Sequence, residues 1–429
     1  MNPYSFYLHI PFCRHRCGYC DFNTYSGLEA LIPAYVAALC AEIRYSGRSA
    51  GSRLPVHTVF FGGGTPSLLP TSDVEDILIA IHDSFDLLPG LEITLEANPG
   101  TLSVDYLRQL RGLGINRLSL GLQSAHPDEL RLLERQHTYP DVIQSVKWAR
   151  QAGFENLNLD LIFGLPGQEL DAWQRTLDLA LGLQPDHFSL YALSVEHGTP
   201  LSRWIARGLL SAPDPDLAAE MYEWAGERLS LAGYAQYEIS NWASSAPASP
   251  AGLSTPTPAF ACRHNLQYWR NLPYLGFGAG AHGYAGDRRT ANHLAPAAYI
   301  HRMTASPAPS PSSFMNQPGL EPSASSSSSA PSPAYPFPLT PATQHAEIVT
   351  REAEIAETMM MGLRLTQEGV SAAQFQRRFG QSLADRFAAQ IDRLRRFGLL
   401  EWAQHANETV LRLTPKGYLL GNQVFVEFI

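Results

Sequence analysis

Three cysteines near the amino terminus carry the strongest chemical signal in this sequence. Cys13, Cys17 and Cys20 are spaced Cys-x3-Cys-x2-Cys in one short loop, and no fourth cysteine follows within it. Thiolates hold iron–sulfur clusters, and each of the four irons of a cubane cluster takes an outer ligand. Three protein ligands leave one iron open to a small molecule. The loop therefore predicts a [4Fe-4S] cluster that takes part in chemistry.

Zinc is the competing metal, because cysteine clusters also build structural zinc sites. Such sites normally take four protein ligands, often as two pairs of cysteines. His15 lies inside the loop, but two residues from either neighbouring cysteine it is poorly placed to join them on one metal. The spacing favours iron and sulfide over zinc.

Two further groups with binding chemistry follow predicted strands. The run Gly62–Gly64, followed by Thr65, lets backbone approach a ligand closely. Glu96 ends the third predicted strand, where its carboxylate could bind ribose hydroxyls or a cationic group. The alternatives are an ordinary glycine turn and a surface glutamate, but both features fall near the predicted position of the cysteine loop.

Three more polar residues lie at comparable positions. Gln123 ends the fourth predicted strand, Arg135 lies in a following loop, and Asp160 lies within the fifth strand. A guanidinium binds a carboxylate bidentately, and an acid inside an apolar strand is costly unless it is paired. For each residue taken singly, a structural hydrogen bond or ion pair is an equal alternative to a role in binding.

The elements that must position these residues alternate between strand and helix patterns. Six such units predict an α/β fold with a parallel sheet curled into an incomplete (β/α)6 barrel, whose functional groups gather at the carboxyl ends of the strands. The predicted strands are Phe6–Ile10, His57–Phe61, Glu92–Glu96, Arg117–Leu122, Asn158–Phe163 and His187–Ala192. The predicted helices are Leu31–Tyr45, Ser72–Phe85, Ser103–Leu113, Pro140–Ala152 and Leu170–Leu181.

Two segments rich in Ser, Ala and Pro divide the rest of the chain, and both are expected to be disordered because they bury little apolar surface. The predicted organisation is a core domain at 1–242, an insertion at 243–260, a segment packing on the core at 261–303, a low-complexity linker at 304–345 and a carboxyl-terminal module at 346–429.

The carboxyl-terminal module is expected to resemble a winged helix. Helix patterns cover Ile348–Arg364, Ser371–Phe379 and Leu383–Phe397, and strand patterns follow at Leu399–Trp402, Thr409–Leu413 and Gln423–Phe428. Such modules often bind DNA, and the third helix carries several arginines. A solvated amphipathic helix is the favoured interpretation, because the module offers little further basic charge.

The amino-acid composition indicates the cellular compartment and the kinds of partner to expect. The net charge of −9 gives no global basic field for nucleic acid. Five cysteines, three of them in one loop, do not form a disulfide framework and suit a reducing compartment. The first residues lack a signal-peptide pattern, and no apolar run reaches membrane-spanning length. A cytoplasmic protein is the expectation.

These motifs together resemble the oxygen-independent coproporphyrinogen oxidase group of the radical S-adenosylmethionine (SAM) superfamily. The match covers nearly the whole chain and includes Tyr7–Cys13, Gly62–Pro66, Leu120–Gln123 and Gly164–Gln168. The resemblance implies that SAM chelates the open iron. It also implies SAM contacts from Tyr7, Tyr19, Gly64, Thr65, Glu96, Gln123, Arg135, Asp160 and, more weakly, Ser194 and His282.

Two departures separate the chain from the true oxidases. The oxidases place a further cysteine two residues after the third ligand, where this chain has Phe22. A second motif, Cys262–Trp269, is similar to the His-Asn-x-x-Tyr-Trp motif of the HemW-type haem chaperones. The resemblance implies that His264 ligates haem iron, Asn265 orients the imidazole, and Tyr268 and Trp269 pack on the porphyrin. The alternative is a histidine packed among core aromatics, with Cys262 as a spare buried thiol.

The leading hypothesis is therefore a haem chaperone that binds a [4Fe-4S] cluster, SAM and haem. It implies haem-dependent client proteins, respiratory enzymes among them, an electron donor for the cluster and membrane contact only through clients, and it allows a homodimer. The alternative is radical oxidative decarboxylation of coproporphyrinogen III, with chemistry supplied by the cofactor. DNA binding by the module is the least favoured class.

Overall fold

A computed structural model describes residues 2–245, 257–305 and 335–429 of the chain. The first half alternates strand and helix as predicted. Its strands are β1 (Tyr4–Ile10), β2 (Phe12–Cys13), β3 (Tyr25–Ser26), β4 (Pro55–Gly63), β5 (Asp86–Ala97), β6 (Arg117–Gln123), β7 (Leu157–Phe163) and β8 (His187–Ala192). Its helices are α1 (Ile32–Ser49), α2 (Thr71–Ser84), α3 (Val104–Gly112), α4 (Pro127–Leu132), α5 (Tyr139–Gln151) and α6 (Leu170–Leu181).

Six of these strands form a parallel sheet in the order β1-β4-β5-β6-β7-β8. Strand β6 is buried along its whole length, as expected of a parallel strand covered on both faces. Apolar side chains of the strands pack against the connecting helices in one continuous core. The prediction of six parallel strand–helix units is confirmed, and the carboxyl ends of the strands share one edge.

The sheet continues beyond both sides of this parallel unit. The additional strands are β9 (Tyr234–Glu238), β10 (Asn241–Ser244), β11 (Tyr274–Phe277), β12 (His282–Ala285), β13 (Arg288–Asn292) and β14 (Thr343–Ile348). The full order is β14-β13-β12-β11-β1-β4-β5-β6-β7-β8-β10-β9, and within the described residues its two edges do not pair. The barrel is thus open, as predicted.

Within the segment at 261–303, β11 runs parallel to β1 and extends the sheet. The predicted linker ended too late. Residues 343–345 belong to β14, which pairs with β13, so the low-complexity segment gives way to the sheet before residue 345. This edge strand carries polar, exposed side chains, which hid it from an apolar pattern. The rest of the disorder prediction falls largely outside the described residues.

The helices of this second part are α7 (Pro200–Ala206), α8 (Pro215–Leu231), α9 (Arg263–Trp269) and α10 (Pro296–Thr304). One buried carboxylate ties several of these segments to the first helix. Glu42 on α1 accepts hydrogen bonds from Gly278 N (2.9 Å), Asn292 Nδ2 (2.8 Å), the Tyr299 hydroxyl (2.7 Å) and the Thr340 hydroxyl (2.9 Å). Four donors satisfy an acid that burial would otherwise penalise.

The carboxyl-terminal module has a core of its own. It contains α11 (Arg351–Gly362), α12 (Ala372–Phe379), α13 (Leu383–Arg386), α14 (Ala388–Arg396), α15 (Pro415–Leu419) and α16 (Gly421–Phe425) with a small antiparallel sheet of β15 (Val370–Ser371), β16 (Leu400–His405) and β17 (Glu408–Leu413).

Two predictions for this module are wrong. The helix predicted over Leu383–Phe397 breaks at Phe387, and Gln423–Phe428 is helical rather than a strand. Burial of Val424, Phe425 and Phe428 in the module core overrides the strand propensity of that run. Arg386 and Arg393 pair with Glu352 and Glu427, so part of the basic helix is neutralised. Among the described helices, none has both the length and the apolar composition needed to cross a bilayer.

Candidate functional site

The three cysteines of the loop line one cavity of about 410 Å³ at the carboxyl edge of the parallel sheet. The loop leaves β1 and returns through the pairing of β2 with β3, and the Cys20 N–H donates to Cys17 O at 3.1 Å. All three thiols are free. We call this edge, with the residues that line the cavity, the mouth. The loop therefore brings the three cysteines to one cavity, and their role as cluster ligands stays a prediction.

The donor set at the mouth suits a cluster better than a single ion. Among the described residues, no three His, Cys, Asp or Glu side chains converge closely enough to hold one metal ion. A zinc ion needs such convergence, whereas a cubane takes each thiolate on a different iron. Burial raises the pKa of Cys13 and of Cys17, and the Arg135 guanidinium partly offsets the rise at Cys17.

Two side chains donate toward the cysteine sulfurs. The Thr65 hydroxyl lies 3.5 Å from Cys13 Sγ, and an Arg135 nitrogen lies 3.7 Å from Cys17 Sγ. Arg135 also donates to Asn98 Oδ1 (2.6 Å) and Gly121 O (3.1 Å). Donors that face sulfur stabilise thiolate ligands and tune the potential of a cluster.

Asn98 is a site residue that the sequence reasoning missed. Its amide accepts from Arg135 and donates to the Thr65 hydroxyl at 3.0 Å, so it joins the two donors that face the cysteines. Its only sequence signal is its position directly after β5, two residues beyond Glu96. Because Asn is common in turns, that signal was weak.

The glycine run allows the end of β4 to pack closely against the start of the cysteine loop at the mouth. Gly63 has φ +107°, and a Cβ on Gly64 would lie 2.6 Å from Phe12 O and 2.8 Å from Ile10 O. The Gly64 N–H instead donates to Ile10 O at 2.8 Å. The close approach that the structure shows is to the backbone of the cysteine loop, and the predicted approach to a ligand stays a prediction.

Two partly buried carboxylates line the same cavity as the cysteines. Glu96 accepts from Gly63 N at 3.2 Å, and Asp160 accepts from the Ser119 hydroxyl and from Asn158 Nδ2, both at 2.8 Å. Burial, followed by the charge of Asp160, raises the pKa of Glu96 to about 8. Burial also raises the pKa of Asp160. A pair of desolvated acids suits a ligand that brings positive charge.

Most residues predicted to contact SAM line this cavity, and two do not. Lining positions are Tyr19, Gly64, Thr65, Glu96, Gln123, Arg135, Asp160 and Ser194. Tyr7 lies behind them, with its hydroxyl 3.0 Å from His9 Nδ1. His282 is exposed on β12 and is not part of the lining. Gln123 ends β6 with φ +64°, an uncommon conformation that turns the chain at the mouth.

The second motif lies at the opposite end of the sheet. Helix α9 and the preceding Cys262, which we call the plug, close the amino-terminal edge of the parallel strands. Glu92 on β5 accepts from Arg263 N and His264 N, both at 3.1 Å, and the Cys262 thiol lies 3.7 Å from the same carboxylate. Thr58, which contacts the plug, and Gly63, which lines the mouth, are five residues apart on β4, a rise of about 16 Å along the strand.

His264 has no free ring nitrogen in this arrangement. Its Nδ1 lies 2.9 Å from the Thr58 hydroxyl, which itself donates to Ser5 Oγ, and its Nε2 lies 2.9 Å from the Tyr268 hydroxyl. Nδ1 therefore donates and Nε2 accepts. The ring stacks on Phe60 with 4.9 Å between centroids and is 1% exposed. Burial lowers the pKa of His264 to about 3, so the ring is neutral.

In this geometry protein side chains surround the imidazole of the motif. Thr58 and Tyr268, rather than Asn265, orient the imidazole. The Tyr268 ring packs edge-on against His264 and Tyr274, and the Arg364 guanidinium lies 4.3 Å from the centre of the Trp269 ring. Haem ligation by His264 stays a prediction that would require the plug to open. Cys262 is a buried thiol, as the alternative interpretation held.

Comparison with known proteins gives matches over the whole chain. The Radical SAM superfamily profile matches residues 7–180, and the HemN C-terminal domain profile matches residues 349–420. The chain is 36% identical over 426 residues to the heme chaperone HemW of Bacillus subtilis, covering 99% of each chain. It is 42% identical over 301 residues to the heme chaperone HemW of Mycobacterium tuberculosis, covering 70% of this chain and 74% of the relative.

Among solved structures, coproporphyrinogen III oxidase (HemN) from Escherichia coli superposes with a TM-score of 0.76 at 22% identity. The match covers 99% of this chain and 90% of that one. At this identity the likeness shows a shared fold.

Proposed function

This chain belongs to the HemW group of the radical SAM superfamily, and we propose that it is a haem chaperone that passes haem to haem-dependent proteins. The observation that carries the proposal is the likeness along the full chain to relatives named heme chaperone, joined to a mouth with three cysteine ligands and Phe22 where the oxidases place a further cysteine.

We propose that Cys13, Cys17 and Cys20 hold the [4Fe-4S] cluster and that SAM binds beside it. When bound and reduced, such a cluster would supply the electron for cleavage of the SAM sulfonium. The lining residues Glu96 and Asp160 would carry the negative charge that a sulfonium or ammonium needs. Arg135 could exchange its bond to Asn98 for the SAM carboxylate.

The partners follow from the same proposal. Clients are haem-dependent proteins, with respiratory enzymes as the first to test, and a small electron-transfer protein would reduce the cluster. Contact with membranes would run through those clients. We place the protein in the cytoplasm, because free thiols and an oxygen-sensitive cluster suit a reducing compartment. A homodimer fits this account, whereas nucleic acid is not an expected partner.

Anaerobic haem transfer tests the function. The cluster-loaded protein is saturated with haem and mixed with an apo-haem protein from a respiratory complex, and gain of the client's spectrum is followed with and without SAM. We expect haem to bind in a defined stoichiometry and to move to the client faster than free haem in buffer. Formation of protoporphyrinogen from coproporphyrinogen III, with SAM and reductant, would instead establish an oxidase.

A further inference from the structure

An apolar side chain stands exposed at the mouth. The Phe22 ring, two residues after the last cysteine, lines the cavity and is 64% exposed. We propose that haem binds across the mouth, with Phe22 as the surface on which the porphyrin packs, rather than at His264. This inference rests on the proposed function, and it assigns that function a site.

The backbone holds Phe22 in this exposed position. Phe22 O accepts from Thr24 N at 2.7 Å and from the Arg16 guanidinium at 3.4 Å, and the neighbouring Asn23 amide donates to Ala279 O and Leu294 O. The segment is therefore anchored on both sides of an unburied ring. When a flat apolar ligand covers a large aromatic ring that is held in place and exposed to solvent, the burial of apolar surface lowers the free energy of the complex.

The rim around Phe22 extends this apolar surface. Leu294 is 56% exposed and is held near Phe22 through Asn23, and Leu193 lines the cavity. Exposed apolar patches on soluble proteins mark binding sites when they border a cavity. A porphyrin offers a matching face, which a nucleoside cofactor deeper in the cavity does not.

The charges of the rim suit the carboxylates of haem. Arg16 lines the cavity, and among the described residues its guanidinium has the Phe22 carbonyl as its hydrogen-bond partner and no acid. A guanidinium in that state can take a propionate. Asp21 and Glu196 also line the rim, and His15 faces Glu134 at 3.6 Å, so the propionates are expected on the Arg16 side.

The other large cavity lacks these features. It has about 740 Å³ between the sheet and the carboxyl-terminal module, and Trp269 lines it. Its guanidiniums are already paired, Arg270 with Glu368 at 2.8 Å and Arg378 with Glu354 at 2.9 Å. A dianionic ligand would have to displace these paired acids there. The mouth offers an open aromatic surface and an unpaired cation instead.

SAM and haem would use the same entrance at the mouth, so SAM has to bind before haem. Because SAM must reach Glu96 and Arg135 beneath the rim, haem lying on Phe22 would cover the way in and out. Haem-loaded protein should therefore release SAM more slowly than haem-free protein. A haem site at the plug, about 16 Å away along β4, would leave SAM release unchanged.

The test compares two phenylalanines of similar exposure. Phe22→Ala and Phe397→Ala, the latter at a side chain 61% exposed on the carboxyl-terminal module, are titrated with haem after cluster loading under anaerobic conditions. Tyr268→Phe serves as a third variant that removes one His264 hydrogen bond. Iron, sulfide and SAM affinity are measured for each protein as a check on the cluster site.

We expect Phe22→Ala to weaken haem binding roughly tenfold with unchanged cluster content, whereas Phe397→Ala and Tyr268→Phe stay within twofold of the parent. At a haem concentration that half-saturates the parent, haem should slow SAM release in the parent and do so much less in Phe22→Ala. Equal haem affinity in Phe22→Ala and Phe397→Ala would overturn the site and leave the chaperone function standing. Failure of the parent to bind haem would overturn the function itself.

Discussion

The two ends of the parallel sheet use the same kinds of residues in opposite ways. At the mouth, thiols, a guanidinium and two acids surround a cavity and are only partly satisfied by one another. At the plug, a thiol, a histidine and Glu92 are buried, and their polar atoms are nearly all bonded within the protein. Residue type alone did not distinguish these ends.

The difference lies in where polar atoms point once the sheet forms. Strand β5 carries Glu92 near its middle and Glu96 near its carboxyl end, and residues four apart on a strand lie on the same face. Glu92 accepts hydrogen bonds from the first N–H groups of α9. The first N–H groups of a helix have no partner within the helix, and the helix dipole favours an anion beside them. Glu96 instead lines the cavity of the mouth. One acid therefore stabilises the fold, and the other is available to a ligand.

Removal of a mouth cysteine should produce the largest contrast. Cys17→Ala is expected to lose the cluster almost completely, because the remaining two thiolates cannot hold three irons of a cubane. Cys262→Ala, at the buried thiol of the plug, is the matched control and should retain full iron and sulfide. Iron analysis with electron paramagnetic resonance of the reduced protein measures both. Loss of iron in the control alone would reverse the assignment of the two ends.

Weakening the plug should affect stability and spare the cluster. In Glu92→Gln, one carbonyl oxygen is left to accept from the three groups that face the Glu92 carboxylate in the parent protein. We therefore expect the free energy of unfolding to fall by about 2–3 kcal/mol. Glu155→Gln on an exposed surface is the control, and its stability should remain within about 0.5 kcal/mol of the parent. Denaturant unfolding gives both values. A fully stable Glu92→Gln protein would show that the plug is not held as described.

The acids at the mouth predict a pH dependence for SAM. The pKa of Glu96 is raised to about 8, so the side chain is largely protonated at pH 6.5 and ionised at pH 8.5. If a cationic ligand needs the carboxylate, affinity rises with pH by about twentyfold over this interval. Calorimetry at several pH values measures this rise. The rise should vanish in Glu96→Gln, and its persistence there would assign it to another group.

The smallest effect concerns the Tyr268 hydroxyl. Tyr268→Phe leaves His264 Nε2 without its donor, which should cost about 1 kcal/mol of stability with the rest of the plug intact. Tyr274→Phe, on the neighbouring ring, is a comparison that keeps the His264 bond. Thermal unfolding of the two variants measures the difference. A more stable Tyr268→Phe protein would contradict the described hydrogen bond.

Much of the mouth could be predicted from sequence, because its signals are local. The cysteine spacing, the glycine run and polar residues at strand ends each fall within a few positions, and six parallel strands bring them to one edge. Asn98 was not predicted as a site residue, because an asparagine after a strand is also typical of a turn. Tyr7 and His282 do not line the cavity, because position along a strand does not reveal which side chains reach it, and their contact with SAM stays a prediction.

The plug could not be predicted in the same way. His264 and its neighbours form a motif whose chemistry fits a ligand or a core, and only the contacts with Thr58 and Glu92, both distant in sequence, decide which. Strand β14 was missed for a related reason, because an exposed edge strand carries no apolar pattern. The run Gln423–Phe428 reads as a strand, but burial in the module core makes it helical.

Spectroscopy of the anaerobically loaded protein tests the central claim most directly. The claim is that three mouth cysteines hold a four-iron cluster and leave one iron for SAM. Mössbauer spectra of iron-57 protein should show four irons per chain, with one iron site altered when SAM is added. Protein that takes up zinc instead of iron and sulfide, or a cluster whose spectrum ignores SAM, would contradict the account.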